Sequence, residues 1–131
     1  MIVGDNLSVE NDGITTTNMT ITSSLNGRAV SDILPTYKKY IALITQTSTN
    51  APTVIELENT IGPIVWTRTA VGQYDGTLTG AFIANKTYLT ISSTLGNYII
   101  SVYRNNNDTI RIESNLDAQL YNNTLEIRVY E

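Results

Sequence analysis

Cysteine and histidine are both missing from this chain of 131 residues. Their absence excludes Ser-His-Asp and Cys-His nucleophile systems and the usual zinc sites. It also excludes disulfide bonds, on which small secreted domains often depend. A chain of this size must then be held together by its core or by assembly.

Charge is scarce as well, since charged residues make up 15% of the chain and the net charge is −4. The eight Lys and Arg residues are scattered and form no basic stripe, so nucleic-acid binding is not expected. No apolar run approaches the roughly 18 residues of a membrane span. The N-terminal sequence MIVGDNLSVEND lacks the basic and apolar regions of a signal peptide.

The residues that are abundant favour β-structure. Val, Ile, Tyr and Thr suit a pleated, half-buried surface, while Asn and Gly favour turns. The chain divides at Pro35, after which the apolar density rises. We predict an N-terminal β-rich arm or stalk over residues 1–35 and an all-β domain over residues 36–131. About seven strands predict a compact antiparallel β-sandwich or a Greek-key barrel.

Several stretches predict individual strands. YKKYIALITQ is expected to be a central strand. TIRIES and LEIRVYE alternate apolar with charged residues, which is typical of an antiparallel sheet with one solvated face. Gly72, Gly76 and Gly80 are expected at turns or bulges. SNLDAQLYNN could hold one helical turn at most.

Carboxylates are the remaining candidates for catalysis. Glu56 and Glu58 are two residues apart on the predicted strand TVIELEN, so both should face one side. A glycosidase needs two carboxylates across a cleft, usually from different elements, so this pair is better interpreted as a solvated face. We predict no catalytic residue and no enzyme activity.

Two groups of oxygen-bearing residues are candidates for calcium sites. One comprises Asp5, Glu10 and Asp12, and the other is the loop at residues 105–108, which reads NNND. Neither matches a calcium-binding loop. We therefore predict no metal and no cofactor.

Aromatic residues are mostly tyrosine, with eight Tyr against one Trp and one Phe. Trp66 and Phe82 are predicted to lie in the core. Tyr74, Tyr98 and Tyr103 are candidates for a ligand surface, because exposed Tyr with Asn is typical of sugar-binding surfaces. The alternative is that these tyrosines line the edges of the core with their hydroxyl groups in water.

The stretch NDGITTTNMTITSSLNG reads as a long polar strand with few apolar residues. Such a strand cannot by itself offset the entropy of ordering. It is either a disordered arm or a segment that pairs with other chains, and its β-branched residues favour pairing. In a homotrimer, a narrow apolar stripe would face the shared axis, formed by Ile14, Met19, Ile21 and Leu25.

Several stretches together resemble a known family, namely YKKYIALITQTSTNAP, LENTIG, VWTR, VGQYDGTLTGAF and LEIRVYE. The chain from residue 37 to residue 131 resembles a small β-domain of structural proteins in tailed bacteriophages, including crAss-like phages. The N-terminal segment resembles the short shafts that trimeric phage fibres place before a globular tip. The resemblance implies a virion component and carries over no catalytic residue.

We therefore expect a non-enzymatic, homotrimeric structural protein of the virion, made in the bacterial host cytoplasm. It would decorate the capsid or form a short head fibre, and its N-terminal arm would dock on capsid or other virion proteins. The short chain favours the head over the tail. The alternative is a glycan- or receptor-binding tip of a tail fibre. No membrane partner is expected.

Overall fold

The computed structural model describes residues 36–94 and 96–131, which belong to one unit, Thr36–Glu131, called the β-domain here. The N-terminal segment and the predicted axis residues Ile14, Met19, Ile21 and Leu25 lie outside the described residues. The described residues form eight strands, in chain order: β1 (Tyr37–Thr45), β2 (Thr53–Asn59), β3 (Val65–Ala70), β4 (Gln73–Thr77), β5 (Thr87–Ile91), β6 (Ser101–Arg104), β7 (Thr109–Glu113) and β8 (Asn123–Tyr130).

The strands form two antiparallel sheets of four strands each. The first sheet has the order β2-β1-β8-β5 and the second has the order β3-β4-β7-β6. Strand β1 lies between β2 and β8, as expected for a central strand. The prediction of an all-β domain is confirmed, and the two separate sheets make it a sandwich.

Alternating side chains of both sheets build the core. Ile110 and Ile112 of β7 are buried while Arg111 and Glu113 are not, as the alternation predicted. Trp66 and Phe82 are in the core, as expected. The other buried apolar residues are Tyr40, Ala42, Ile44, Ile64, Tyr74, Leu120, Leu125, Ile127 and Val129.

Strand β2 departs from simple alternation. Ala42 pairs with Glu56, whereas its neighbour Ile41 pairs with Glu58, so β2 carries one extra residue, Leu57. Cross-strand partners point to the same side of a sheet, and Ala42 is buried while Ile41 is not. Glu56 and Glu58 therefore lie on opposite faces, and the prediction that they share one face is wrong.

The connection between β7 and β8 contains no helical turn in any described residue. Its chain direction changes at Ala118 and Asn122, which have φ angles of 62° and 51°. The segment that could have held a helical turn is instead an irregular connection from the second sheet to the first.

Glycine has two different roles in the β-domain. Gly72 and Gly80 have φ angles of 66° and 68° and lie in turns, as predicted. Gly76 instead lies within β4, directly opposite Trp66. A Cβ atom at Gly76 would lie 2.8 Å from Trp66 Cη2 and 3.0 Å from Ile64 Cγ2. The indole ring therefore occupies the space that a side chain would need.

Replacement of Gly76 by alanine should lower the free energy of unfolding by about 1–3 kcal/mol, because the new methyl group overpacks the core. Chemical denaturation measures this change. Gly96→Ala is the matched control, since a Cβ atom there meets no atom within 4 Å. Equal stability of the two variants would show that the Trp66 ring moves aside without cost.

Candidate functional site

The outer face of the first sheet carries most of the unusual surface chemistry of the β-domain. On β1, the residues that alternate with the buried ones are Tyr37, Lys39, Ile41 and Leu43. On β8 they are Thr124, Glu126, Arg128 and Tyr130. Apolar and aromatic side chains thus lie where the sequence pattern would place polar ones.

One half of this face is an aliphatic band formed by Ile41 and Leu43 of β1 with Ile55 of β2, next to the exposed Leu57 at the bulge of β2. Leu43 pairs with Ile55, so their side chains lie together. Ile55 and Leu57 are each 60% exposed. Charged groups border the band, with Lys39 Nζ 3.4 Å from Glu58 Oε1. Contiguous exposed apolar residues are uncommon on monomers and often mark an interaction surface.

The other half is a tyrosine platform formed by Tyr37, Tyr88 and Tyr130 around Arg128. The rings of Tyr37 and Tyr130 are 5.1 Å apart and tilted by 47°. The Arg128 guanidinium lies 5.2 Å from the Tyr37 ring centre and 5.5 Å from that of Tyr88, within cation–π range. Arg128 Nε donates to Glu126 Oε2 over 2.7 Å. Strands β1, β8 and β5 thus bring one cation and three rings together.

A cleft of about 400 Å³ adjoins the platform at Tyr130. Aliphatic side chains and two lysines, Lys38 and Lys86, line it together with Glu131. Neither lysine forms an ion pair with another described residue. The described residues that line the cleft are Lys38, Ile61, Gly80, Ala81, Ile83, Lys86, Val129, Tyr130 and Glu131.

The outer face of the second sheet is polar by comparison. Arg111 makes a bidentate contact with Asp75, with distances of 2.6 and 2.9 Å. Tyr103 donates its hydroxyl to Glu113 over 2.7 Å. That hydrogen bond raises the pKa of the Tyr103 hydroxyl, because the proton is shared with a carboxylate. Each of these polar side chains therefore has a hydrogen-bonding partner on the same face of the sheet.

The predicted ligand tyrosines do not form one surface. Tyr74 is fully buried, so its place in that prediction is wrong. Tyr103 is 39% exposed on β6, and Tyr98 is 36% exposed in the connection that precedes β6. Tyr37 and Tyr88 are not among the predicted ligand residues. Their strands are recognisable, but the pairing of β1, β8 and β5 that brings them together is not.

Tyr74 belongs instead to a polar cluster, called the buried polar cluster here, in which Tyr74 and Gln46 are buried and Arg68 and Asp117 are half-buried. Arg68 Nε and Nη2 contact the Asp117 carboxylate at 3.0 and 2.7 Å. The Tyr74 hydroxyl lies 3.0 Å from Asp117 Oδ1 and 2.9 Å from Gln46 Oε1. Burial, and then the hydrogen bond to Asp117, raise the pKa of Tyr74 to about 12. Tyr74 therefore stays protonated at neutral pH.

Gln46 is 2% exposed and secures the loop that follows β1. Its Nε2 donates to the carbonyl oxygens of Ser48 and Asn50 over 2.9 and 2.8 Å. Its Oε1 accepts from Ala118 N over 2.5 Å. These contacts satisfy the buried amide, so the cluster is explained by structure without a ligand.

The carboxylates and loop oxygens weighed in the sequence are engaged with the protein. Asn59 Nδ2 donates to Glu56 Oε1 over 3.3 Å. Asp108 Oδ1 accepts from Gly80 N over 2.7 Å, and Asn107 Oδ1 accepts from Arg104. Among the described residues, no group of three or more carboxylates is placed to hold a metal ion. Asp5, Glu10 and Asp12 lie outside those residues.

No family model, curated protein or solved structure matches this chain. The resemblance to phage structural proteins therefore stays a prediction from the sequence. Within residues 36–94 and 96–131, no helix has the length and apolarity to span a membrane.

The buried polar cluster should make stability depend on pH. Contact with Arg68 is the main cause that lowers the pKa of Asp117 below its usual 3.8. A carboxyl group with a lower pKa in the folded state stabilises the fold above the unfolded-state value, and this contribution is lost as pH falls below about 4. We expect Asp117→Asn to lower the unfolding midpoint at pH 7 and to flatten its decline between pH 5 and pH 2.

Urea unfolding across that pH range tests this expectation. Glu58→Gln is the control, because it removes a carboxylate from an exposed ion pair with Lys39. Such pairs contribute little to the free energy of unfolding. If Asp117→Asn and Glu58→Gln show the same profile as the unmodified protein, the acid dependence arises elsewhere.

Proposed function

We propose that this protein is a non-enzymatic structural protein of a tailed-phage virion that assembles as a homotrimer. The β-domain packs against its copies, and the N-terminal arm docks on the capsid or another virion protein. The observation that carries the assembly proposal is the aliphatic band. The resemblance of residues 37–131 to phage structural proteins supports the virion setting.

A second copy of the chain is the occupant that best fits the band. The rim charges Lys39 and Glu58 already neutralise each other, so the band presents no net charge that selects a charged partner. A β-domain with no cysteine also gains from burial between copies, because each copy extends the apolar core of the others.

The β2 edge of the first sheet is poorly suited to pairing with another strand. Strand β2 carries the bulge at Leu57, and Pro52 lies directly before the first residue of the strand. Bulges and prolines are the usual means of blocking edge-to-edge association. Contact between copies is therefore proposed across the face of the sheet, where the aliphatic band lies, rather than along the β2 edge.

The full chain should elute with the mass of three 14.4 kDa copies when measured by light scattering after gel filtration. Ile55→Asp should shift this mass toward the monomer at the same concentration, because it places an unpaired charge in an apolar contact. Val65→Asp is the matched control, since Val65 is 62% exposed on β3 of the other sheet. A monomeric unmodified chain, or a normal trimer of Ile55→Asp, would contradict the proposal.

Ile21→Asp tests the arm separately. If Ile21 faces a shared apolar axis, the buried charge prevents assembly and leaves the β-domain folded. Circular dichroism reports on the fold and light scattering on the mass. Normal assembly of Ile21→Asp would remove Ile21 from the proposed axis.

A second candidate function is the binding of a host surface glycan, as in a fibre tip. The specific observation in its favour is the tyrosine platform. Tyr88 and Tyr130 are 47% and 39% exposed. Burial of rings of this size against a ligand would contribute favourable hydrophobic free energy. Rings held in place by neighbouring strands lose little entropy on binding.

A further inference from the structure

We infer that the cleft and the tyrosine platform together form a binding site for an acidic saccharide. This inference rests on the glycan-binding candidate and specifies its ligand. Two independent features carry it. One is a concave site with two lysines that have no acidic partner among the described residues, and the other is an aromatic surface that continues from it.

The cleft selects for negative charge. Lys38 lines the cleft from β1 and Lys86 from the segment just before β5, whereas Glu131 supplies the single carboxylate side chain among the described lining residues. An ammonium group without a partner gains a charge-assisted hydrogen bond when a carboxylate binds. A volume of about 400 Å³ is within the range of small-ligand sites and suits one sugar ring.

The walls of the cleft select for a ligand with an apolar side as well. Ile61, Ile83 and Val129 contribute aliphatic surface next to the two lysines. A pyranose ring presents C–H groups on one face and hydroxyl groups at its rim. A uronic or sialic acid unit adds a carboxylate to that arrangement, and this combination matches the lining more closely than inorganic phosphate does.

The platform supplies the next contacts along a saccharide chain. Tyr130 lines the cleft and also packs on Tyr37, so a ligand that leaves the cleft meets the platform directly. The negative face of a tyrosine ring attracts the C–H face of a sugar. Arg128 carries five N–H donors and uses one on Glu126, and this Arg–Glu pair can engage neighbouring hydroxyl groups.

A glycan array probed with the full chain tests the inference. The array carries uronate- and sialate-bearing oligosaccharides, including trigalacturonate, beside neutral counterparts such as fully methyl-esterified trigalacturonate. The ester keeps the sugar skeleton and removes the charge. We expect acidic probes to bind about tenfold more tightly than their neutral counterparts, and the difference to shrink at high salt.

Three variants assign the binding to this site. Lys86→Gln should lower the affinity for acidic probes about tenfold and leave the affinity for neutral probes unchanged. Tyr88→Ala should lower the affinity for both kinds of probe, because it removes an aromatic ring on which a sugar can stack. Arg111→Gln is the control, since it removes one positive charge from the outer face of the second sheet, away from the cleft and the platform, and should leave binding unchanged.

The outcomes separate the inference from the candidate function on which it rests. Equal binding of neutral and acidic probes that Tyr88→Ala abolishes would overturn the acidic specificity and leave glycan binding intact. Acidic binding that is insensitive to Lys86→Gln would overturn the assignment to the cleft. An absence of binding to every probe by the correctly folded chain would overturn both.

Discussion

The buried polar cluster is the constraint on which the rest of the β-domain depends. It joins Gln46, which directly follows β1 of the first sheet, to Arg68 and Tyr74 in the second sheet, through Asp117 in the connection between β7 and β8. That connection determines where β8 begins. Because β8 lies between β1 and β5, the cluster also helps to position the strands that carry the band and the platform.

Local alternation was sufficient to predict the strands with one solvated face. It placed Ile110 and Ile112 in the core, and it identified β8 correctly. It failed at β2, where the side that Glu56 and Glu58 face depends on the register with β1 and on the extra residue Leu57. The prediction of Tyr74 as a surface residue, which came from its residue type, failed as well, because its hydroxyl finds a partner 43 residues away at Asp117. Pairings over such distances are not encoded in any local pattern.

The candidate site illustrates the same limit. The sequence indicates that Tyr130 shares a face with Arg128, because they are two residues apart on an alternating strand. It gives no sign that Tyr37 and Tyr88, separated by more than half the β-domain, lie on either side of that arginine. Antiparallel pairing of β8 with both β1 and β5 creates this arrangement. The platform is therefore a product of topology, as is its continuity with the cleft.

Assembly and ligand binding on one face are compatible because the band and the platform occupy different parts of it. Tyr37 and Leu43 are six residues apart on β1, which corresponds to about 20 Å along the strand. The band extends outward onto β2, whereas the platform extends across β8 to β5 on the opposite side of β1. Copies that contact each other through β2 would leave the tyrosines at the far corner accessible. Three copies would then present three sites, and weak binding at each site would be strengthened by multivalency.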